Sequence, residues 1–304
     1  MNKIEEMKSL VEKLNQYRDA YYNNAESIVT DHQYDDLCDQ LEKMEKETGI
    51  ILSNSPVHSV GYEVKSKLEK IEHSHLMMSL DKTKDVNVLR KFIGDKDSLL
   101  MCKMDGLTIL LTYENGELIQ AETRGNGVTG EIITHNAKAF ENIPMHINQK
   151  GHVEIEGEAI ITYSSFNNYI ELTDSNYENP RNLLSGSLNS KEVEDIIPRN
   201  VRFKPFKLVY LEEGVLGDNQ YNWSARMEYL RSLGFDPVEY KYLKLSDISN
   251  EEADRLIKDT INEFTQKVES GLIDEPVDGL VVCYEDEKYA ATGLSLIHIS
   301  EPTR

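Results

Sequence analysis

A lysine stands at the centre of a short motif that could carry covalent nucleotide transfer, Lys103-Met104-Asp105-Gly106. A lysine amine attacks phosphorus only after losing its proton, so burial or positive charge must lower a pKa that is ordinarily about 10.4. The motif lies between two strand-like runs, and we expect the strand end to supply that burial. Gly106 would permit a sharp turn, and Asp105 would lie near the sugar or metal side of a nucleotide. Taken alone, the motif could equally be a surface turn.

Further motifs follow along the chain, and their order and spacing favour the chemical interpretation. Thr123-Arg124-Gly125-Asn126-Gly127 comes after a predicted strand, and Glu156-Gly157-Glu158 ends another. Asn179-Pro180-Arg181-Asn182 with Ser185-Gly186-Ser187 is predicted to form a polar loop. Val277-Asp278-Gly279-Leu280-Val281-Val282 is a predicted strand. Together with the lysine motif they resemble the adenylation domain of NAD+-dependent DNA ligases, from about residue 4 to residue 293.

The resemblance implies a lysine that takes AMP from NAD+ and passes it to the 5′-phosphate of a nick. Carried over by position, Lys103 is implied as the nucleophile and Asp105 as its motif partner. Arg124 would hold ribose or phosphate, Glu158 would bind the ribose, and Phe206 would stack on the adenine, roles that suit these side-chain types. Other interpretations stay open: Phe206 could belong to the core, and Arg124 and Glu158 could form a surface pair.

The opening helices carry an aromatic and acidic face. Asp31, Tyr34 and Asp35 stand at i, i+3 and i+4 and share one helix face. Tyr21 and Tyr22 lie just before the connector and are expected to face these three residues across the hairpin. Oxidised nicotinamide is a flat cation, which aromatic faces and carboxylates suit. The arrangement resembles the family's nicotinamide-mononucleotide segment and favours NAD+ over ATP. Without the downstream motifs it would be interpreted as an ordinary amphipathic hairpin.

One more segment resembles the family, and certain positions depart from it. The segment containing Ser79 and Leu80 resembles the one whose Ser-Leu backbone lines the adenine pocket. Met101 stands where the family often has Glu, Cys283 where it has a basic residue, and Asn189 where it has Arg. These departures concern adenine selection, phosphate neutralisation and 5′-phosphate contact, in that order. A neutral thiol cannot replace a cation beside a phosphate.

Hydrophobic periodicity predicts which elements position these residues. A helix over 4–22 and a second helix, begun by a Thr30 and Gln33 capping box and reaching about residue 48, open the chain. A linker is predicted over 53–75. Strands are predicted at 99–104, 107–113, 118–123, 153–162, 201–211 and 277–284, and helices near 84–94, 164–172, 223–233 and 249–269.

These elements alternate without a regular βαβ repeat, which predicts an α+β fold of antiparallel sheets with flanking helices. The resemblance implies the ATP-grasp-like nucleotidyltransferase domain of ligases, preceded by a small helical hairpin domain. We expect a nicotinamide-mononucleotide-binding segment over 1–70 and an adenylation domain over 71–293, incomplete at its C-terminal end. Residues 294–304 resemble a translated sequencing adapter and are expected not to be native. The chain alone is expected to be inactive in nick sealing.

Composition limits the partners. The chain has 304 residues and a net charge of −21, which argues against DNA binding by a simple polycation. Nicked duplex DNA is therefore expected to contact mainly the family's missing domains, where zinc is also expected.

Cys38, Cys102 and Cys283 show no pattern of a disulfide framework or zinc cluster. No membrane segment or secretory signal is predicted, so a cytoplasmic location is expected. The protein is also expected to be a monomer. The resemblance implies Mg2+ as a further cofactor.

Two other functions remain open. An ATP- or GTP-dependent nucleotidyltransferase, such as an RNA ligase or capping enzyme, shares the lysine motif, and the face formed by Asp31, Tyr34 and Asp35 discriminates against it. A non-catalytic ligase relic that binds nucleotide is suggested by Met101, Asn189 and Cys283. The mass of the purified protein would separate them, because a competent enzyme is often isolated carrying AMP.

Overall fold

The computed structural model describes residues 3–24, 29–48, 55–57, 70–73, 81–83, 85–173, 175–188, 200–290 and 296–300. The chain divides into two units. The first comprises Met1–Met77 with Arg124–Glu131, and the second Met78–Thr123 with Ile132–Arg304. Across the part of the chain described, none of the helices combines the length and apolar character needed to span a bilayer.

A pair of packed helices opens the first unit. They are α1 (Lys3–Asn24) and α2 (Asp31–Thr48). The Thr30 hydroxyl accepts from the Gln33 backbone at 3.2 Å, and the Gln33 side chain accepts from the Thr30 backbone at 3.1 Å. This reciprocal pair confirms the predicted capping box. The apolar stripes of the two helices meet in a buried cluster formed by Met7, Val11, Leu14 and Leu41.

The first unit also contains a strand pair that the sequence did not predict. β1 (Lys70–Glu72) pairs antiparallel with β6 (Thr129–Glu131). The predicted linker over 53–75 is therefore wrong over β1. A strand this short is formed by pairing with a distant segment, and local sequence carries little signal of such pairing.

The second unit is built on two sheets. The five-stranded sheet has the order β2-β11-β10-β3-β9, and its strands are β2 (Asp81–Lys82), β3 (Ser98–Met104), β9 (Tyr240–Leu243), β10 (Val277–Tyr284) and β11 (Leu296–Ser300). The four-stranded sheet has the order β5-β4-β7-β8, and its strands are β4 (Leu107–Glu114), β5 (Glu117–Thr123), β7 (His152–Ile161) and β8 (Val201–Leu211). Every described pair is antiparallel except β11 with β2. The predicted α+β class is confirmed.

Helices flank these sheets. They are α3 (Val86–Ile93), α4 (Thr134–Ala137), α5 (Tyr163–Thr173), α6 (Pro180–Leu188), α7 (Trp223–Ser232), α8 (Asn250–Glu269) and α9 (Glu287–Ala290). One face of the four-stranded sheet buries Tyr113 and Phe203, whose rings both meet Phe235 edge-on. This aromatic contact forms part of the core that holds β4 and β8 in place.

Helix α6 corrects the sequence analysis, which predicted a polar loop there. Pro180 occupies the first helical position, where its missing N–H costs nothing. The Asn179 side chain accepts from the Asn182 backbone at 2.8 Å and so caps the helix. Leu183 and Leu184 are buried. The serine and glycine content suggested a loop, but the cap and the apolar face determine a helix.

Strand β11 lies within the segment that resembles an adapter translation and pairs with β10 in antiparallel register. Strand pairing uses backbone groups that every residue other than proline provides, so it does not identify the origin of a segment. The assignment of 294–304 and the domain boundary at residue 70 stay predictions.

Candidate active site

Lys103 is brought to Asp278 by the pairing of β3 with β10. Lys103 lies opposite Gly279, and Met104 lies opposite Val277, so Asp278 is the extra residue of a bulge in β10. The Lys103 Nζ donates a hydrogen bond to Asp278 Oδ2. The Lys103 side chain keeps 29% of its surface exposed and that of Asp278 keeps 19%. The pair is thus sheltered but within reach of a ligand.

The pKa of Lys103 is raised above its usual value. Burial lowers this pKa, but the Asp278 carboxylate raises it by charge and by hydrogen bonding, and Glu158 and Asp105 add to the effect. The sequence-based expectation that the site lowers the lysine pKa is therefore wrong. The acidic neighbours outweigh burial. The amine needs a proton acceptor before it can attack, and the Asp278 carboxylate already accepts a hydrogen bond from it.

Helix α6 delivers an arginine to the lysine motif. Arg181 Nη1 donates to Asp105 Oδ1 at 2.8 Å. Burial lowers the pKa of Arg181 to about 10, and the nearby Asp278 charge opposes that shift. An arginine remains a cation at neutral pH even so. Arg181 lies within a sequence motif, but no role was predicted for it, because the helix that aims its side chain was not predicted.

Glu158 reaches the same site from β7. It lies opposite Thr108 of β4, whose hydroxyl donates to Glu158 Oε2 at 3.0 Å. Ala159, the next residue of β7, lies against Gly106 of the lysine motif, and the Glu158 charge contributes to the raised pKa of Lys103. The structure therefore brings together Lys103, Asp105 and Glu158. It adds Arg181 and Asp278 as charged neighbours.

Gly106 ends the lysine motif where two backbones approach closely. A Cβ atom at this position would lie 2.0 Å from the carbonyl oxygen of Ala159 on β7. We expect Gly106→Ala to lower the free energy of unfolding by about 1–3 kcal/mol, because a backbone atom must move. Urea unfolding monitored by circular dichroism measures the change.

Gly186→Ala provides a matched control for that measurement. Gly186 lies in α6, where a new Cβ would meet only the Tyr177 side chain, at 3.3 Å. Alanine favours a helix by up to about 1 kcal/mol over glycine, so this variant should be neutral or more stable. Equal destabilisation by both substitutions would contradict the close approach at Gly106.

Phe206 lies on β8, and Arg124 belongs to the first unit. Phe206 is half-buried at a bulge of β8, where Trp223 Nε1 donates to its carbonyl at 2.9 Å. Arg124 belongs to the first unit, where its carbonyl contacts the His73 ring at 2.8 Å. The adenine contact of Phe206 and the ribose or phosphate contact of Arg124 stay predictions.

The predicted nicotinamide face is only partly described. The Tyr34 side chain is half-buried and packs against the Met7, Val11, Leu14 and Leu41 cluster. The backbone places one pair of tyrosines in the last turn of α1 and the aspartates in the first turns of α2. The side chains of four residues predicted to bind the cofactor lie outside the described part of the structure: Tyr21, Tyr22, Asp31 and Asp35. Ser79 and Leu80 lie outside the described residues altogether.

Two of the three positions that depart from the family pattern lie in the five-stranded sheet. Met101 lies opposite Val281, and Cys283 lies opposite Leu99. Both side chains are buried. Burial raises the pKa of the Cys283 thiol, so it stays neutral. Asn189 lies outside the described residues. Within the described part of the chain, no group of three or more His, Cys, Asp and Glu residues could hold a metal ion.

Comparison with known proteins gives consistent matches. Residues 65–292 match the family model described as NAD-dependent DNA ligase adenylation domain, and residues 1–61 match DNA ligase-like, N-terminal NAD+-binding domain. A DNA ligase of Ruminiclostridium cellulolyticum is 42% identical over 95% of this chain and 42% of that protein. One from Lachnoclostridium phytofermentans is 41% identical over 94% of this chain and 42% of that protein.

Among solved structures, an archaeal ATP-dependent RNA ligase is similar at a TM-score of 0.44 and 15% identity, covering 76% of this chain and 49% of that one. The chain spans about 42% of the length of the two curated relatives named above.

Proposed function

The chain belongs to the family of NAD-dependent DNA ligase adenylation domains, and we propose that its Lys103 accepts AMP from NAD+. The observation that carries the proposal is the contact of the Lys103 amine with the Asp278 carboxylate, among Asp105, Glu158 and Arg181. A nucleophile paired with a proton acceptor and bordered by a partly buried cation is a set of groups suited to covalent transfer of a nucleotide.

The proposed step forms a bond from nitrogen to phosphorus and breaks a bond from phosphorus to oxygen. The Lys103 ammonium first gives a proton to the Asp278 carboxylate, the group that accepts its hydrogen bond. The neutral amine forms a bond to the adenylyl phosphorus of NAD+, and the bond from that phosphorus to the bridging oxygen breaks. Nicotinamide mononucleotide leaves with the electron pair, and the second nitrogen proton passes to solvent. The product is a lysyl phosphoramidate of AMP.

Other residues are proposed to bind the nucleotide. The Glu158 carboxylate suits ribose hydroxyls, the half-buried Phe206 ring suits adenine, and the Arg124 guanidinium suits phosphate. Arg181 holds Asp105 at 2.8 Å and adds positive charge where negative charge develops on phosphorus. Ser79 and Leu80 are proposed to line the adenine pocket by their backbone. Each assignment rests on family membership and side-chain chemistry.

Nick sealing is proposed for a longer protein that contains this chain together with the further regions present in its relatives. There, AMP passes from Lys103 to the 5′-phosphate of a nick, and the 3′-hydroxyl displaces it. Duplex affinity rests largely on Lys and Arg neutralising phosphates, and this chain carries a net charge of −21. We therefore assign most DNA contact to regions of the relatives that this chain does not span. A monomer working in the cytoplasm is part of the same proposal.

Magnesium is proposed to arrive with the phosphates of NAD+. Among the described residues, no group of His, Cys, Asp and Glu forms a metal site, and the carboxylates of Asp105 and Asp278 are engaged by Arg181 and Lys103. The described residues thus do not fit a dedicated protein cage for the ion. Magnesium is commonly held by substrate phosphates with few protein ligands. Zinc is proposed only for regions outside this chain.

The test of the proposal is a choice of AMP donor. Incubation with NAD+ carrying labelled adenylate should attach label covalently and release nicotinamide mononucleotide, whereas labelled ATP should attach none. Asp35→Ala should reduce labelling from NAD+ severely, because the carboxylate is proposed to contact the cationic nicotinamide. Denaturing electrophoresis follows the label, and chromatography follows the released nucleotide.

Asp36→Ala is the matched control for Asp35→Ala. Asp36 is the next residue of α2, so it points to a different face of the helix, and it is exposed. Its substitution should leave labelling unchanged. Efficient labelling from ATP, or equal loss in both variants, would contradict NAD+ recognition by this helix face.

A further inference from the structure

Lys204 of β8 is a buried cation outside the set of residues that contact Lys103. Only 6% of the residue is exposed, and its ammonium contacts Asp236 at 2.9 Å and Glu275 at 3.3 Å. The Asp236 side chain is half exposed, whereas that of Glu275 keeps 19% of its surface. Burying an ammonium group costs free energy unless oppositely charged partners contact it in good geometry.

The Glu275 partner lies in a short segment that leads into β10, comprising Ile273, Asp274, Glu275 and Pro276. Each residue of this 273–276 segment is tied to a different element. The Ile273 N–H donates to Lys267 of α8 at 3.1 Å, and the Asp274 carbonyl accepts from Tyr163 of α5 at 3.0 Å. The Pro276 carbonyl accepts from the Asp105 N–H at 2.8 Å.

The 273–276 segment ends two residues before Asp278, the bulge residue of β10. A bulge residue has no partner in the strand ladder, so its direction depends on what holds the chain on either side. On the C-terminal side, Gly279 is fixed opposite Lys103 in the ladder. On the N-terminal side, Val277 lies opposite Met104 in the ladder. Before it, the Pro276 carbonyl accepts from Asp105, and the Glu275 side chain is held by the ion pair to Lys204.

We propose that Lys204 is a positioning residue: by holding Glu275 it aims the bulge so that Asp278 meets the Lys103 amine. This inference rests on the proposed function, since it concerns the nucleophile of that reaction. Lys204 acts through geometry and does not touch the reacting atoms.

The position of Lys204 supports an indirect action. Its charge acts on the buried Cys102 thiol, whose pKa it lowers against stronger effects that raise it. Cys102 and Lys103 are successive residues of β3, and successive side chains of a strand point to opposite faces. The groups that face Lys103 are Asp278 from β10, Glu158 from β7 and Asp105 from its own turn, with Arg181 of α6 bound to Asp105.

The sign of one measured shift separates positioning from direct electrostatics. Removing a nearby cation without moving anything would raise the pKa of Lys103. Moving Asp278 away from Lys103 would lower that pKa, because burial would then oppose fewer negative neighbours. Lys204→Met is therefore expected to shift the Lys103 titration toward lower pH, by up to about one unit.

The experiment uses trace acetic anhydride on the whole protein at a series of pH values. Mass spectrometry of the Lys103 peptide then reports the fraction acetylated, and its midpoint reports the lysine pKa without any NAD+. Lys204→Met and Glu275→Gln should both lower the midpoint. Lys204→Arg, which can keep the contact to Glu275, should restore the wild-type midpoint.

Asp236→Asn is the matched control. It removes the other partner of Lys204 and leaves the Glu275 contact in place, so the midpoint should not move. If folded Lys204→Met protein shows an unchanged or higher midpoint, the proposal is overturned. If Lys204→Met does not fold, the test uses the double variant Glu275→Gln with Asp278→Asn, whose midpoint is compared with that of Asp278→Asn alone. A shift larger than that of Asp278→Asn alone would then refute action through Asp278.

The amine titration and the transfer of AMP fail independently. Wild-type protein that acquires no label from NAD+ would refute the proposed function and leave the Lys204 result intact. Normal labelling together with an unmoved midpoint would refute only the role of Lys204.

Discussion

Lys103→Ala should abolish covalent labelling by the adenylate of NAD+, to below detection. The Lys103 amine is proposed as the atom that bonds to phosphorus, and the groups described around it include no second amine that could form the same phosphoramidate. Asp105, Glu158 and Asp278 are carboxylates, and Arg181 keeps its proton at neutral pH. The measurement is intact mass after incubation with NAD+, with the modified residue located by peptide mapping.

Lys103→Arg distinguishes lost chemistry from lost structure. Arginine keeps a positive charge beside Asp278 but does not become a neutral amine at working pH. This variant should fold like the wild type and still acquire no AMP. Lys258→Ala, at an exposed position of α8, should label normally. Label retained in Lys103→Ala would place the nucleophile elsewhere and remove the basis of the proposed step.

Regular strands of the second unit were predictable because their signal is local. The strand predictions at 201–211 and 277–284 coincide with β8 and β10. Both are long runs rich in β-branched and aromatic residues, and their ends are marked by turn-forming residues. The short strand β1 carries no such signal, because it exists only through its pairing with β6.

The candidate site shows the same division between local and distant information. Motif spacing identified Lys103, Asp105 and Glu158, which the fold brings together. It assigned no role to Arg181 or Asp278, because a helix and a β-bulge aim these side chains. The pKa of Lys103 was predicted in the wrong direction for a related reason. Burial can be inferred from a strand, whereas the number of carboxylates around an amine depends on tertiary placement.

The pH dependence of AMP transfer follows from the raised pKa of Lys103. Attack requires the neutral amine, and the Asp278, Glu158 and Asp105 carboxylates favour the charged form. The neutral fraction grows as pH rises toward the lysine pKa. The rate of labelling at saturating NAD+ is therefore expected to increase with pH through the neutral range.

Asp278→Asn should change that profile in two ways. The amide keeps the shape of the carboxylate but removes its charge, so burial has less opposition and the pKa of Lys103 falls. The rising limb of the rate profile should move to lower pH by about 1–3 units. The plateau should fall about 10²–10⁴-fold, because the proposed proton acceptor is lost.

Asp236→Asn is the control for this prediction as well, since it makes the same change beside another buried lysine, Lys204. Both the plateau and the midpoint of its profile should match the wild type. The acetic anhydride titration of Lys103 gives a second measure of the midpoint that does not depend on catalysis. A lower plateau with an unmoved midpoint would mean that Asp278 contributes to the step without setting the charge of Lys103. A midpoint at higher pH would contradict the carboxylate as the cause of the raised pKa, because removing a negative neighbour can only favour the neutral amine.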